Sequence, residues 1–221
     1  QEKMTPEIEA ALEKASTLAE IEDIYRPFRP KRRTRASIAK EKGLEPLADA
    51  IFAQTADSAS PAELAADYID AENGVETAED AINGAMDIIA ENISDDADIR
   101  RRLRSLFTVA GVLQSRAADS EKESVYTMYY EYDEPVNKIA GHRVLAVNRG
   151  ENEGFLKVGI DVDRIKALNI INANVLSDNG SACTDTVRDA AADAYDRLIF
   201  PSVEREIRNM ITDSAVESAL K

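Results

Sequence analysis

Cysteine is almost missing from this chain: Cys183 is the only one among 221 residues. An intramolecular disulfide and a cysteine-cluster metal site are therefore excluded, and the usage fits a reducing compartment. A single histidine, His142, leaves no His–His ligand pair and room for only one histidine-based acid–base system. Tryptophan is absent. No apolar run approaches the roughly 20 residues of a spanning helix, and the polar start Gln1-Glu2-Lys3 is no signal peptide. The sequence also has no P-loop, dinucleotide fingerprint, nucleophile elbow or zinc-protease motif. These absences give the expectation of a cytoplasmic binding protein with no catalytic residue, cofactor or metal, and no membrane partner.

What is abundant is acid. Asp and Glu number 42 against 27 Lys and Arg, a formal charge of −15. That excludes a whole-surface electrostatic grip on nucleic acid or anionic lipid, so any such grip is local. The length suits one large or two small domains with an ordinary apolar core. The chain lacks an initiator methionine and stops at Lys221 inside a helical pattern, which reads as a piece of something longer.

The spacing predicts a mainly α fold: a helical bundle over 1–125, a mixed segment over 126–183 and C-terminal helices over 184–221. Thr5-Pro6-Glu7 opens a helix carrying Ile8, Leu12 and Ala15, and Thr17 with Glu20 caps a second whose apolar face is Ile21, Ile24 and Tyr25. A new helix follows Thr34, ends near Gly43, and resumes at Pro46 with Leu47, Ile51 and Phe52 as a buried stripe. Ser60-Pro61-Ala62-Glu63 is a capping box with proline at the first helical position. Beyond the Asn73-Gly74 turn, Thr77 caps a helix carrying Ile82, Ala85, Met86, Ile89 and Ile93. Ser94 is expected to cap the next, with Ile99, Leu103 and Phe107 inward and Arg100, Arg101 and Arg104 outward.

After residue 125 the pattern changes. Tyr126, Tyr129, Tyr130 and Tyr132 cluster before Asp133-Glu134-Pro135. The β-branched, apolar run Arg143–Arg149 and the alternation Leu156-Val158-Ile160-Val162 read as a small β-hairpin over about 143–162, with Gly150–Gly154 as its loop. Residues 163–180 have no clear period. From Thr184 the helical spacing returns through Val187, Ala191 and Tyr195, and Pro201 starts or kinks a further helix carrying Val203, Ile207 and Ile211.

The charged feature that stands out is residues 26–42. Arg26, Arg29, Lys31, Arg32, Arg33, Arg35, Lys40 and Lys42 face one acid, Glu41, a net +7 that leaves −22 for the rest. Pro27 and Pro30 favour an extended, solvated loop over 26–35. Arginine forks pair bidentately with phosphate oxygens, and Phe28 inside the run can stack on a base. The candidate nucleic-acid contacts are Arg26, Phe28, Arg29, Lys31, Arg32, Arg33, Arg35 and Lys40. The same arginines could instead bridge acidic helices of the protein or of a partner. His142 reads as a structural residue at the start of a strand, and Cys183 as a buried, inert one near a helix N-terminus. Asp161 and Asp163 share a strand face without a third metal ligand. The tyrosine cluster reads as core packing.

Three stretches resemble the bacterial Tex proteins, transcription accessory factors. The first spans 21–48, from Ile21-Glu22-Asp23-Ile24-Tyr25-Arg26-Pro27-Phe28-Arg29-Pro30 through Lys31-Arg32-Arg33-Thr34-Arg35 to Glu45-Pro46-Leu47-Ala48. The second is His142-Arg143-Val144-Leu145-Ala146-Val147-Asn148-Arg149-Gly150-Glu151-Asn152-Glu153-Gly154. The third is Ala194-Tyr195-Asp196-Arg197-Leu198-Ile199-Phe200-Pro201-Ser202-Val203-Glu204-Arg205-Glu206-Ile207-Arg208. The resemblance implies an amino-terminal helical region whose last helix begins a long central one. It implies further domains outside this sequence: a helix-turn-helix-like segment before it, and YqgF, helix-hairpin-helix and OB-fold RNA-binding domains after it. Non-enzymatic RNA or DNA binding and transcription regulation are implied as well, with the main RNA contact in the OB-fold domain. The partners so implied are nucleic acid, held weakly by this region, the other family domains and the transcription machinery. An alternative is a purely architectural module that packs on those domains or that machinery.

Overall fold

The computed structural model describes residues 4–28 and 33–221. Its helices are α1 (Pro6–Lys14), α2 (Leu18–Tyr25), α3 (Arg35–Glu41), α4 (Glu45–Ala53), α5 (Pro61–Ala66), α6 (Ala78–Ser94), α7 (Ala97–Ala110), α8 (Gly141–Asn152), α9 (Arg164–Val175), α10 (Thr184–Asp193) and α11 (Phe200–Ala219). Three strands, β1 (Val112–Ala117), β2 (Glu131–Pro135) and β3 (Leu156–Asp161), form an antiparallel sheet in the order β2-β1-β3. The mainly α class with a small antiparallel β element therefore stands. Packing divides the chain into two units, each drawing on two separated stretches. One holds the described residues up to Arg101 together with Leu168–Ile199, the other Arg102–Ala167 with Phe200–Lys221.

In the first unit α6 is the axis. Thr77 caps it by accepting the Asp80 N–H at 3.1 Å, and Ala81, Ala85, Ile88, Ile89 and Ile93 form its buried face. Against that face lie α3, α4, α5 and α10. Small side chains set the spacing: a Cβ on Gly84 would run into Leu44 and lie 3.3 Å from Ala39 Cβ, so glycine lets α3 and α4 approach. Ser60 caps α5 as expected, although α5 ends at Ala66 and Ile69 beyond it is exposed. Phe52, expected in the core with Ile51, is exposed as well. Gln54 after α4 takes a left-handed conformation at φ +48°.

Two expectations at the α6–α7 junction are overturned. Ser94 is the last residue of α6 and is buried; Asp96 instead accepts the Ile99 N–H at 2.9 Å. Arg100, expected outward, is 1 % exposed. Its guanidinium turns back to donate to the Ser94 carbonyl and, at 3.0 Å, to Ser94 Oγ, binding up acceptors at the end of α6. Arg101 stays exposed, paired with Asp98.

The second unit centres on β1, flanked by β2 and β3 with Leu113 opposite Ile160. The expected hairpin over 143–162 is corrected: 156–161 is a strand, but Arg143–Arg149 lies in α8. Val144 and Val147 face inward one turn apart, and Gly150 is buried in the helix, not in a loop. A Cβ there would meet Leu156 Cδ1 at 2.5 Å and Tyr126 Cδ1 at 3.0 Å. Only Gly154 supplies a turn, at φ +82°. Helix α11 packs on α8 and reaches β3, where Glu204 Oε2 accepts the Ile160 N–H at 3.0 Å. Pro201 lies in the first turn of α11, after a π-helical segment over Ala194–Ile199.

Candidate nucleic-acid interface

The cationic segment is held at both ends by helix α2 and helix α3. A single 3₁₀ turn, Arg26–Phe28, continues α2, so these three residues are not the extended loop expected of them. Arg29, Lys31 and Arg32 lie outside the described residues. The chain re-enters at Arg33, and Thr34 starts α3 with a reciprocal capping box: Ser37 N–H donates to Thr34 Oγ1 at 3.1 Å, and Thr34 N–H to Ser37 Oγ at 2.8 Å. Thr34 Oγ1 also donates to Glu91 Oε2 of α6 at 2.9 Å. Ala36 and Ala39 are buried, which fixes the rotation of α3 and leaves Arg35 and Lys40 exposed.

Acid lies close to this base. Arg33 reaches Glu41 at 3.5 Å, both largely exposed, a pairing of little stabilising value. Arg35 acts on Asp87 of α6, whose carboxylate is 3.9 Å from Arg197; Arg197 is held at 2.9 Å by Asp193. Burial raises the Asp87 pKa, against the lowering by Arg197 and Arg35. A cleft of about 410 Å³ lined by Pro27, Ser37 and Lys40 is closed on its other side by Glu91, Asn92, Asp95 and Asp96. Its carboxylates outnumber its single ammonium, so the cleft repels phosphate. Lys40 is that ammonium; the exposed cations that do not line the cleft are Arg33 and Arg35, with Arg26 half-buried before them in sequence.

Aromatic exposure was only half anticipated. Phe28 is 37 % exposed, as a stacking residue needs to be. The apolar face assigned to α2 is not buried: Tyr25 is 57 % and Ile21 39 % exposed, while Ile24 is half-buried. Leu18, Ile21, Tyr25 and Phe28 form an exposed stripe at spacings of three and four, readable from the sequence as helical spacing but not as exposure.

The other candidates have structural surroundings. His142 sits exposed in the first turn of α8 and not at a strand, a correction that follows from the helix over 141–152. Cys183 is fully buried at the start of α10, its Sγ 3.4 Å from Ser58 Oγ. Asp161 ends β3, but Asp163 is no longer on the strand; it accepts the Ile165 N–H at 2.9 Å at the start of α9. Among the described residues no three of His, Cys, Asp and Glu come together to hold a metal ion, and no helix is long and apolar enough to cross a membrane. Tyr126 and Tyr129 are buried, with Tyr126 5.7 Å from Phe155 and Tyr129 edge-on to Tyr132 at 5.3 Å. The expected core packing thus holds for Tyr126 and Tyr129, while Tyr130 and Tyr132 are half-buried.

A family model described as Tex central region-like matches residues 56–221, which leaves the cationic segment outside the match. The chain is similar over its whole length to the uncharacterized protein YdcI of Bacillus subtilis, 42 % identical across 31 % of that protein. Protein tex of Bordetella pertussis is 40 % identical over 74 % of the chain and 21 % of its own length. The human S1 RNA-binding domain-containing protein 1 is 26 % identical over 99 % of the chain and 23 % of its length. The chain thus spans a third or less of these relatives.

Proposed function

The chain belongs to the Tex family, and on that premise we propose that it is a helical scaffold which presents a cationic segment to nucleic acid within a transcription accessory factor. The observation that carries this reading is the concentration of positive charge: residues 26–42 hold a net +7 in a chain of −15. Tex relatives include one named a transcriptional accessory protein, and a more distant relative is named for an RNA-binding domain, which supports the same direction. Phosphate neutralisation releases counterions, so binding through this segment weakens with the logarithm of salt concentration. The bundle's part is positional. Capped α3, docked through Ala36 and Ala39, leaves Arg35 exposed. On this reading the chain performs no catalytic step, and its nucleic-acid grip supplements one made by other parts of a longer protein.

Charge reversal tests it. Arg29→Glu, Arg32→Glu and Arg33→Glu together are expected to leave the circular dichroism of the chain the same. Binding of a labelled RNA strand at low salt falls at least tenfold. Equal binding by the variant and the parent chain contradicts the reading.

One observation favours a second reading, an architectural module with no nucleic-acid contact of its own. The charge of Arg35 acts on Asp87, and Thr34 already ties α3 to Glu91. Base here is matched to acid within the fold, as it would be if the segment served packing. Under that reading the same triple variant binds RNA no worse but loses helix content or association with neighbouring domains.

A further inference from the structure

We propose that Tyr25 and Phe28 form a base-stacking step that selects single strands over duplex. The inference rests on the nucleic-acid reading above and sharpens it. Both rings are exposed, at 57 % and 37 %, on consecutive turns at the end of α2. Residues three apart on a helix lie on one side, at a spacing of about 5–6 Å between Cβ atoms. Two rings so placed offer faces to successive unstacked bases, whereas bases inside a duplex present only their edges and backbone.

The location of the pair separates it from the chain's other aromatics. Tyr126 and Tyr129 are buried against neighbouring rings and cannot admit a base. Tyr25 and Phe28 instead bracket Arg26 and immediately precede the run Arg29-Pro30-Lys31-Arg32-Arg33. Cation and ring alternate along one short segment, the combination that binds single strands by phosphate contact and stacking together. The inner side of α2 explains why the rings are exposed: Asp23, on the face away from them, is the buried residue of the helix. Glu20, which would oppose phosphate, turns back to accept the Ser16 N–H at 2.7 Å. Glu22 is the exposed carboxylate closest to the step in sequence, so its neutralisation should tighten binding.

The chain contains no tryptophan, so Phe28→Trp introduces a lone fluorescent reporter at the proposed step. Titration with oligouridine of about 12 nucleotides, within the span of a single-strand site, should quench that emission. A duplex of the same length should not. Tyr25→Ala with Phe28→Ala should weaken oligouridine binding by roughly ten- to a hundredfold, as loss of stacking on two bases does. The dependence on salt should stay as in the parent chain because the phosphate contacts remain, and Glu22→Gln should bind severalfold tighter. Unchanged emission together with salt-dependent binding overturns the stacking step and leaves the cationic reading standing. Equal loss of single-strand and duplex binding in the double alanine variant also overturns it. Absence of oligonucleotide binding by the parent chain overturns both.

Discussion

Gln54 Nε2 donates to the carbonyl of Val175 at 2.9 Å, joining residues 121 positions apart. The same amide donates to Phe52 O at 2.9 Å, and its oxygen accepts the Ser177 N–H at 3.0 Å. Asn179 Nδ2 closes the set by donating to the Gln54 carbonyl at 2.8 Å. Gln54 is 2 % exposed, so removing its amide strands backbone groups in a buried place. Gln54→Ala should therefore lower stability by about 2–4 kcal/mol in urea unfolding. Since the backbone there is left-handed, Gln54→Gly should lose less than Ala, through relief of strain at φ +48°. A loss below about 0.5 kcal/mol for Gln54→Ala would mean that water replaces the amide.

Arg208 makes a comparable joint in the second unit. It reaches Glu151 at 2.9 Å and Asn148 Oδ1 at 2.8 Å, tying α11 to α8. Arg208→Met keeps the aliphatic packing and removes the fork. The expected loss is about 1–3 kcal/mol, reduced by the partial solvation of Glu151. A shift in thermal midpoint of several degrees would register it; no shift would reduce the pair to a surface contact.

Gly150→Ala tests the correction to α8. Alanine at a loop glycine with ordinary φ is tolerated, but here Leu156 and Tyr126 occupy the space at 2.5 and 3.0 Å. Overpacking should lower stability by about 1–3 kcal/mol, although alanine favours the helix. Gly154→Ala should also destabilise, for the separate reason that its φ is +82°.

Asp87 gives a prediction in pH. Desolvation raises its folded-state pKa above the unfolded value, so the unfolded chain releases this proton first as pH rises. Its effect on stability is thus a penalty that grows as pH climbs from the unfolded pKa through the raised folded one, and is absent at lower pH. Asp87→Asn should remove that decline across the mildly acid range, measured as unfolding free energy against pH. Asp133 has the opposite sign. The hydrogen bond from Arg116 lowers its pKa, so its contribution is present above the unfolded value and lost as pH falls through the folded one. An unaltered pH profile in Asp87→Asn would contradict the assignment.

Local capping chemistry made much of the first unit legible. Ser60, Thr77 and Thr34 each announce a helix by a hydroxyl before an apolar period, and each accepts the expected backbone N–H. Cys183 is buried, as free cysteine commonly is, although its small polar neighbours gave no sign of it. The second unit hid its pairing. Val144, Leu145 and Val147 suit a strand by side-chain type, yet packing on β3 and α11 outweighs that preference. Strand β1 went unread because Val112–Ala117 follows directly on α7 and pairs with strands 14 or more residues away. Burial of Arg100 and exposure of Tyr25 share a cause. Helical period places a residue on a face, but which face is covered depends on elements distant in sequence. At the site, net charge found the segment, while the acidic surface of α6 beside it could not be seen from residues 26–42 alone.

The central claim is that nucleic acid contacts this chain through residues 26–42. Photocrosslinking tests it most directly: the chain is irradiated with a bound 4-thiouridine oligonucleotide at low salt, and the modified peptides are identified by mass spectrometry. The account predicts crosslinks concentrated between Tyr25 and Lys42, suppressed by raised salt and by Arg29→Glu, Arg32→Glu and Arg33→Glu. Crosslinks confined to the second unit, on α8 or α11, would contradict it.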